Sequence, residues 1–287
     1  MEMRVSIVTV TYGNRASYVR QLVEAGLAAG ACQIFIFDNG SPQGNRKELE
    51  AIVGGEEGVF LHSERSNLGS AGGFKKALSW ASESASSSHF WILDDDNIPE
   101  KDALSSLVQA YCYLGSCQVN VLVSYRMLMD KVANKVVHKR ELLDSVTKGF
   151  LVGQKVSLFS KIINKFKRNI VKPDSVINYP IVRRVRASWG GLFFHKSIID
   201  DVGLPNESFY LYGDDFEYSD RMYDSGKEIF TVYQSRIIDI DSQPNSNGFF
   251  SESQSELKVY YAIRNHVYLD YRGDLLSCVR IPDQGCH

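Results

Sequence analysis

The sequence lacks any apolar run close to the roughly 18 residues that a membrane-spanning helix needs, although 44% of its 287 residues are hydrophobic. Its first residues enter a β-rich run at positions 4–10 without the apolar segment of a signal peptide. We therefore expect a cytoplasmic protein that does not cross a membrane.

Cysteine and net charge are both scarce. The five cysteines are odd in number and form no CxxC pair, which favours a reducing compartment over a disulfide framework. The formal net charge is −2, and so small an imbalance argues against nucleic acid as a bulk partner.

Two glycine-rich phosphate-binding signatures are also absent. The first apolar run is followed by Thr11-Tyr-Gly-Asn rather than GxGxxG, and GxxxxGK[ST] does not occur. A dinucleotide fold of the usual kind and a P-loop are thereby excluded. A sugar-1-phosphate nucleotidyltransferase is also disfavoured, because it would need a glycine-rich basic loop directly after the first strand.

What the sequence does contain is a regular alternation of strand and helix patterns up to residue 124. Short β-rich runs lie at 4–10, 34–37, 59–61, 90–93 and 119–124, and helical spacing lies at 15–29, 45–53, 74–81 and 102–113. This alternation predicts an α/β fold with a mostly parallel central sheet flanked by helices. In such sheets ligands bind beyond the carboxyl ends of the strands.

Three adjacent carboxylates, Asp94, Asp95 and Asp96, follow the buried-type run 90–93. Their mutual repulsion is strong where water is excluded, and hard cations such as Mg²⁺ and Mn²⁺ prefer carboxylate oxygens. The triplet therefore predicts a metal site. The alternative is a solvated acidic turn that starts a helix at Asn97-Ile-Pro-Glu.

Polar residues also follow the other strands, which is where a nucleotide is expected. Asp38 could accept hydrogen bonds from a ribose or a base, or it could form an Asx turn into Gly40-Ser41-Pro42. The glycine loop 67–73 could bring backbone N–H groups to a diphosphate at a helix start, or its glycines could only allow tight helix–sheet packing.

Residues 128–180 break the alternation, so we divide one continuous domain into a nucleotide half (1–127), an insertion (128–180) and an acceptor half (181–287). The segment 155–172 has six basic residues, no acid and an apolar helical face. It predicts either contact with an anionic membrane surface or lipid acceptor, or an ordinary packed helix with a solvated basic face.

The acceptor half carries two further candidate groups. Gly190 and Gly191 after Trp189 suggest close approach of the backbone to a ligand, and Trp189 is either a platform for a sugar face or a core aromatic. Asp214 and Asp215 begin a predicted helix. They are candidates for a general base, although acidic first turns also simply cap helices.

Seven motifs in this order resemble the family 2 inverting glycosyltransferases of GT-A fold, and most closely the bacterial galactofuranosyl- and rhamnosyltransferases. The resemblance covers roughly residues 3–272. The motifs are Val8-Thr-Val-Thr-Tyr-Gly-Asn-Arg15, Asp38-Asn39-Gly-Ser, Asn67-Leu-Gly-Ser-Ala-Gly-Gly73, Asp94-Asp95-Asp96, Trp189-Gly-Gly, Tyr212-Gly-Asp-Asp-Phe-Glu217 and Tyr260-Tyr-Ala-Ile-Arg-Asn265.

The resemblance implies a Rossmann-like nucleotide half, an acceptor half and a role for each matching position. Asp215 would be the base, with Asp214 as the alternative. Mn²⁺ or Mg²⁺ would be held at the DxD motif by Asp96 first and Asp94 second, because strand alternation puts both on one side. The implied donor contacts are Thr9, Thr11, Arg15, Asp38, Asn67, Gly73, Asp94, Asp95, Trp189, Gly190 and Gly191.

One departure from the family concerns the metal. Asp239 stands where members often have a metal-binding histidine, and it could serve as a harder ligand or could have lost the role. The implied donor is UDP-galactofuranose, with dTDP-rhamnose as the alternative. The implied acceptor is a glycolipid or oligosaccharide at the cytoplasmic face of the membrane, in bacterial surface polysaccharide synthesis. A non-catalytic carbohydrate-binding scaffold is the alternative from another class.

Overall fold

The computed structural model describes residues 3–130, 135–138, 181–241 and 255–279. The chain divides into two compact units, one comprising 1–140 with 179–247 and the other 141–178 with 248–287. The predicted domain limits at 127 and 180 remain a prediction. The predicted basic helix 155–172 lies outside the described residues.

The first unit contains the strands and all described helices but the last. The strands are β1 (Val5–Thr11), β2 (Gln33–Asp38), β3 (Val59–Ser63), β4 (His89–Ile92), β5 (Asn97–Pro99), β6 (Asn120–Asp130), β7 (Lys135–His138), β8 (Ile181–Arg184), β9 (Leu192–His195) and β10 (Glu228–Asp239). The helices are α1 (Ala16–Ala28), α2 (Gln43–Gly54), α3 (Gly69–Ser84), α4 (Ala103–Tyr113), α5 (Ile198–Val202) and α6 (Asp214–Asp224). The second unit contains α7 (Glu256–Val279).

The strands form one sheet in the order β3-β2-β1-β4-β9-β6-β10-β5, with β7 beside β6 and β8 beside β10. Pairing is parallel from β3 to β4 and again between β6 and β10. It is antiparallel where β9 enters between β4 and β6 and where β5 joins β10. The predicted α/β class, with a central sheet flanked by helices, is confirmed.

Two apolar clusters cover the two faces of this sheet. Along β1, Val5 and Ile7 face the cluster that includes α1 and α4, and Val8 faces the cluster that includes α3 and α6. This alternation follows from the two-residue period of an extended chain. Because both faces are covered, the central strands are continuous apolar runs. Among the residues with described coordinates, no helix has the length and apolarity to span a membrane.

The alternative interpretation of the triplet, an acidic turn that starts a helix at Asn97, is wrong about secondary structure. Residues 97–99 form β5, in which Asn97 pairs with Asp239 of β10. Strand β10 itself has an irregularity between Val232 and Arg236. The pairing of β5 with β10 brings Asp239 to the end of β4, where the aspartate triplet lies.

Candidate active site

The aspartate triplet lies in a tight turn between β4 and β5. The Asn97 backbone N–H donates to the Asp94 carbonyl at 2.9 Å, and the Asn97 side chain accepts from the Asp94 N–H and donates to Asp96 Oδ1. The expectation that strand alternation aligns Asp94 with Asp96 is therefore wrong in its reason, because the triplet is not extended. Both carboxylates nevertheless lie close enough to Asp239 for its charge to affect them.

Arg15, at the start of α1, binds three carboxylates at once. Its Nε lies 2.9 Å from both oxygens of Asp95, its Nη2 2.9 Å from Asp96 Oδ2, and its Nη1 2.7 Å from Asp241 Oδ2. Thr11 Oγ1 adds a hydrogen bond of 2.6 Å to Asp95. In this structure Arg15 and Thr11 therefore stabilise the turn of the triplet through their contacts with its carboxylates.

Thr9 is the other β1 residue with an expected nucleoside contact. It is buried, and its hydroxyl has no hydrogen-bond partner among the described residues. A buried unpaired hydroxyl is costly, so this atom is a candidate for a ligand contact. The role in donor binding remains a prediction.

Arg126 of β6 stands beside Asp94 and Asp239. Its Nη1 lies 3.1 Å from Asp94 Oδ2 and 3.8 Å from Asp239 Oδ2. Gly190 packs against this pair: a Cβ there would lie 2.9 Å from both Arg126 Nη1 and Asp94 Oδ2, and 2.3 Å from Asn97 Oδ1. In this structure Gly190 therefore allows close packing against the triplet turn and Arg126, and its expected approach to a ligand remains a prediction.

The site carries crowded negative charge. Burial raises the pKa of Asp94 to about 6, although Arg126 opposes the shift. Burial also raises the pKa of Asp96 to about 7, and the charges of Asp239 and Asp94 add to this. Within the described residues, no three His, Cys, Asp or Glu side chains form a ready metal cluster. The carboxylate oxygens and their mutually repelling charges nevertheless fit a hard divalent cation, which Asp94, Asp96 and Asp239 would hold.

Asp38 is fully buried at the end of β2, and both of its oxygens have partners within the chain. Oδ1 accepts from the Ser41 N–H at 2.9 Å, and Oδ2 pairs with Arg46 Nε at 3.1 Å. Asp38 thus holds the turn through Gly40-Ser41-Pro42, as the alternative at this position expected, although the bond reaches the N–H three residues on rather than the two of an Asx turn. Contact of Asp38 with a ribose or base remains a prediction. Such a ligand would have to bind carboxylate oxygens that already accept from Ser41 and Arg46.

The loop before α3 is held by two asparagines. Asn39 donates to the Gly69 carbonyl and accepts from the Leu68 N–H, each at 2.9 Å, and Asn67 Oδ1 accepts from the Gly69 N–H at 2.8 Å. At Gly73 a Cβ would lie 2.8 Å from Val10 Cγ1. The glycine therefore provides the close helix–sheet packing that was the alternative to diphosphate binding.

Trp189 lies in the core, which is the second of its two interpretations. Its ring is 4% exposed and stacks on Phe74 with centroids 4.6 Å apart. Its indole N–H donates to Asp214 Oδ2 at 2.8 Å, and Ser70 Oγ donates to the same oxygen at the same distance. Trp189 therefore acts on the site through Asp214. Gly191, with φ of +96°, packs against Ser124 of β6.

Asp215 follows Asp214 in the first turn of α6 and is the less buried of the two. Burial raises the pKa of Asp215 to about 8, and the charges of Asp214 and Asp94 add to the shift, which Arg126 opposes. The carboxyl of Asp215 is therefore within electrostatic reach of the metal-binding candidates. Asp214 accepts hydrogen bonds from Trp189 and Ser70, and burial raises its pKa as well. Which of the two carboxylates is the base remains a prediction.

The chain that leads into α6 has an unusual backbone. Tyr210 and Tyr212 have φ of +57° and +65°, and Gly213 follows at +75°. Non-glycine residues rarely adopt this region. The Tyr210 carbonyl accepts from the Ala71 N–H at 3.1 Å, so the strained segment is fastened to the first turn of α3.

Replacement of Gly69 by alanine should loosen this connection. Gly69 has φ of +74°, and a Cβ there would lie 2.1 Å from the Tyr210 carbonyl oxygen. We expect a loss of about 2–4 kcal/mol in the free energy of unfolding, measured by urea denaturation. Gly44→Ala in α2 is the matched control, because nothing lies within 4 Å of its Cβ position. Equal stability of the two variants would contradict the expectation.

The sequence matches the description "Glycosyl transferase family 2" over residues 6–172, which is more than half of the chain. The chain belongs to glycosyltransferase family 2. No curated protein matches it.

Solved structures share the fold of this chain at low sequence identity. GalNAc-T7 with UDP, GalNAc and Mn²⁺ aligns with a TM-score of 0.63 and 16% identity, over 92% of this chain and 47% of that one. S. aureus TarS 1–349 in complex with UDP aligns with a TM-score of 0.54 and 14% identity, over 84% of this chain and 61% of that one. The chain thus spans less than two thirds of either, and the likeness establishes the GT-A fold.

Three residues of the candidate site lie outside the seven sequence motifs: Asn97, Arg126 and Asp241. Ser70 lies inside the motif Asn67–Gly73, but no role was predicted for it. Only Arg126 carried a usable signal, because it is a lone charge in the apolar run Val121-Leu-Val-Ser-Tyr-Arg-Met127. A charge kept inside a strand of this kind requires a partner, and the partner is Asp94.

Proposed function

We propose that this glycosyltransferase is a metal-dependent inverting enzyme that transfers galactofuranose from UDP-galactofuranose to a hydroxyl of a lipid-linked or oligosaccharide acceptor. Its context would be bacterial surface polysaccharide synthesis at the inner face of the membrane. The observation that carries the proposal is the position of Asp215. It lies in the first turn of α6 with a pKa raised to about 8, within electrostatic reach of Asp94 in the triplet.

The chemistry assigned to Asp215 is that of a general base. Its carboxylate accepts the proton of the acceptor hydroxyl as the acceptor oxygen bonds to the anomeric carbon of the donor. The bond between that carbon and the diphosphate oxygen breaks, and its electron pair leaves with UDP. One displacement of this kind inverts the anomeric centre. Positive charge brought near Asp94 with the donor lowers the pKa of Asp215 and favours the ionised base.

Asp94, Asp96 and Asp239 would hold Mn²⁺ or Mg²⁺, which supplies charge stabilisation for the leaving diphosphate. The raised pKa values of Asp94 and Asp96 support this assignment, because a bound cation would offset both the burial and the repulsion that raise them. Asp239 then takes the position of the family histidine as an oxygen ligand. That GalNAc-T7 has been solved with UDP and Mn²⁺ gives further support.

The rest of the chain supports a nucleotide-bound donor at the same edge of the sheet. The strand ends of β1, β2 and β4 meet there, and TarS has been solved in complex with UDP. The basic segment 155–172, outside the described residues, is the part that we assign to the anionic membrane surface or the lipid acceptor.

A donor screen by calorimetry tests the proposal. UDP, dTDP and GDP are titrated into the protein with Mn²⁺, and each titration is repeated with EDTA. We expect UDP to bind most tightly and to lose most of its affinity in EDTA. Preference for dTDP would move the assignment to rhamnosyl transfer. Failure of all three nucleotides to bind would contradict the enzyme and favour a non-catalytic carbohydrate-binding scaffold.

A further inference from the structure

Arg126 lies in the space between two carboxylates that are assigned to the divalent cation. Its Nη1 is 3.1 Å from Asp94 Oδ2 and 3.8 Å from Asp239 Oδ2. A single positive group thus links the end of β4 to the end of β10. A metal ion coordinated by Asp94 and Asp239 would need the same oxygens and the same space.

The second arginine of the site is held differently. Arg15 pairs with Asp95, Asp96 and Asp241 through all three of its nitrogens, so its removal would break several ion pairs at once. Arg126 Nη1 has one hydrogen bond in this cluster, to the carboxylate of Asp94, which is 34% exposed. Moving Arg126 breaks this hydrogen bond and the longer ion pair with Asp239, whereas moving Arg15 breaks short ion pairs with three carboxylates.

Gly190 keeps the Arg126 position available. A Cβ at residue 190 would come within 2.9 Å of both Arg126 Nη1 and Asp94 Oδ2, so a side chain there would force the pair apart. The Arg126 side chain is 22% exposed, which leaves part of the guanidinium open to solvent. The fold therefore leaves room for the ion pair between Arg126 and Asp94, and both side chains remain partly exposed to solvent.

We propose that Arg126 is an internal counter-ion which competes with the divalent cation for Asp94 and Asp239, and which turns to the donor diphosphate when the cation binds. This rests on the proposed function. A guanidinium is suited to both tasks, because its planar fork binds carboxylate and phosphate alike. Cation binding and nucleotide binding are then coupled through one side chain.

The coupling has two opposite consequences for a variant without the charge. In Arg126→Gln, no positive charge competes with the cation for Asp94 and Asp239, so the affinity for Mn²⁺ alone should rise by at least about fivefold. The same variant has lost the phosphate contact, so UDP at saturating Mn²⁺ should bind about tenfold more weakly. A residue that only supports the fold would weaken both.

The experiment titrates Mn²⁺ without nucleotide, followed by electron paramagnetic resonance of the free ion, and then UDP at saturating Mn²⁺ by calorimetry. Arg126→Lys keeps the counter-charge but not the fork, so its Mn²⁺ affinity should stay close to that of the native protein while UDP binding weakens. Arg183→Gln is the matched control, because Arg183 pairs with Glu228 on an exposed part of β8. It should change neither affinity.

Unchanged or weaker Mn²⁺ binding in Arg126→Gln would overturn the competition. Tighter Mn²⁺ binding with unchanged UDP affinity would overturn the movement to the diphosphate. Both results would leave the proposed function standing, because that proposal is tested by the nucleotide preference of the native protein and not by the Arg126 variants. If Arg126→Gln does not fold, the split between the two affinities in Arg126→Lys decides.

Discussion

Asp215→Asn should lower the transfer rate by about 10²–10⁴-fold, the usual contribution of a positioned general base, while UDP still binds. The asparagine keeps the size of the side chain and can still accept from the Phe216 N–H, which bonds Asp215 Oδ1 at 2.8 Å. It cannot accept the acceptor proton. Single-turnover transfer from a labelled UDP-sugar, beside calorimetry with UDP, separates the chemical step from donor binding.

Two neighbouring variants make the Asp215 result specific. Asp220→Asn lies on the same helix and breaks only the ion pair with Arg186, so its transfer rate should stay near that of the native protein. Asp214→Asn disturbs the hydrogen bonds from Trp189 and Ser70, so it should lose stability as well as activity. Retained turnover in Asp215→Asn with full loss in a stable Asp214→Asn would move the base to Asp214.

Strands and helices with a strong local pattern could be predicted from the sequence. The runs that became β1, β2 and β4 are apolar because both sheet faces are covered, and the helices between them show their own spacing. Strand β5 could not be predicted in this way. Asn97-Ile-Pro carries a good helix-start signal, and only pairing with β10, about 140 residues later in the chain, makes it a strand.

The candidate site shows the same division between local and distant information. The triplet and the pair at the start of α6 were visible as local clusters of acid. The partners of these acids were not visible, because they depend on the order of the strands. Arg15 pairs with Asp241, 226 positions later in the chain. Arg126 of β6 pairs with Asp94 at the end of β4, although β9 lies between these two strands. Burial, which makes Trp189 a core residue rather than a platform, is likewise set by tertiary packing.

The charged side chains around the triplet interact with one another. Arg15 pairs with Asp95 and Asp96 of the triplet, and Arg126 pairs with Asp94. The charge of Asp94 in turn contributes to the raised pKa of Asp215. Addition or removal of one charge at the triplet should therefore change both the proposed cation binding and the pKa of Asp215, the proposed base. The carboxylate of Asp96 is the most direct place to test this, because the charges of Asp239 and Asp94 both raise its pKa.

Asp96→Asn should remove most of the metal-dependent part of UDP binding. The substitution keeps the size of the side chain but removes one ligand charge from the group formed with Asp94 and Asp239. We expect UDP affinity in Mn²⁺ to fall by at least about tenfold, or about 1.4 kcal/mol, towards the value in EDTA. Calorimetry with UDP in Mn²⁺ and in EDTA measures the difference directly.

Asp241→Asn is the control that separates this effect from the loss of an arginine partner. Asp96 and Asp241 both pair with Arg15, at 2.9 and 2.7 Å, but only Asp96 is assigned to the cation. Loss of an Arg15 contact alone should therefore affect both variants alike, whereas loss of a metal ligand should affect only Asp96→Asn. An equal fall in UDP affinity for the two variants, or an unchanged affinity in Asp96→Asn, would remove Asp96 from the metal site and leave it, with Asp95, as an anchor for Arg15.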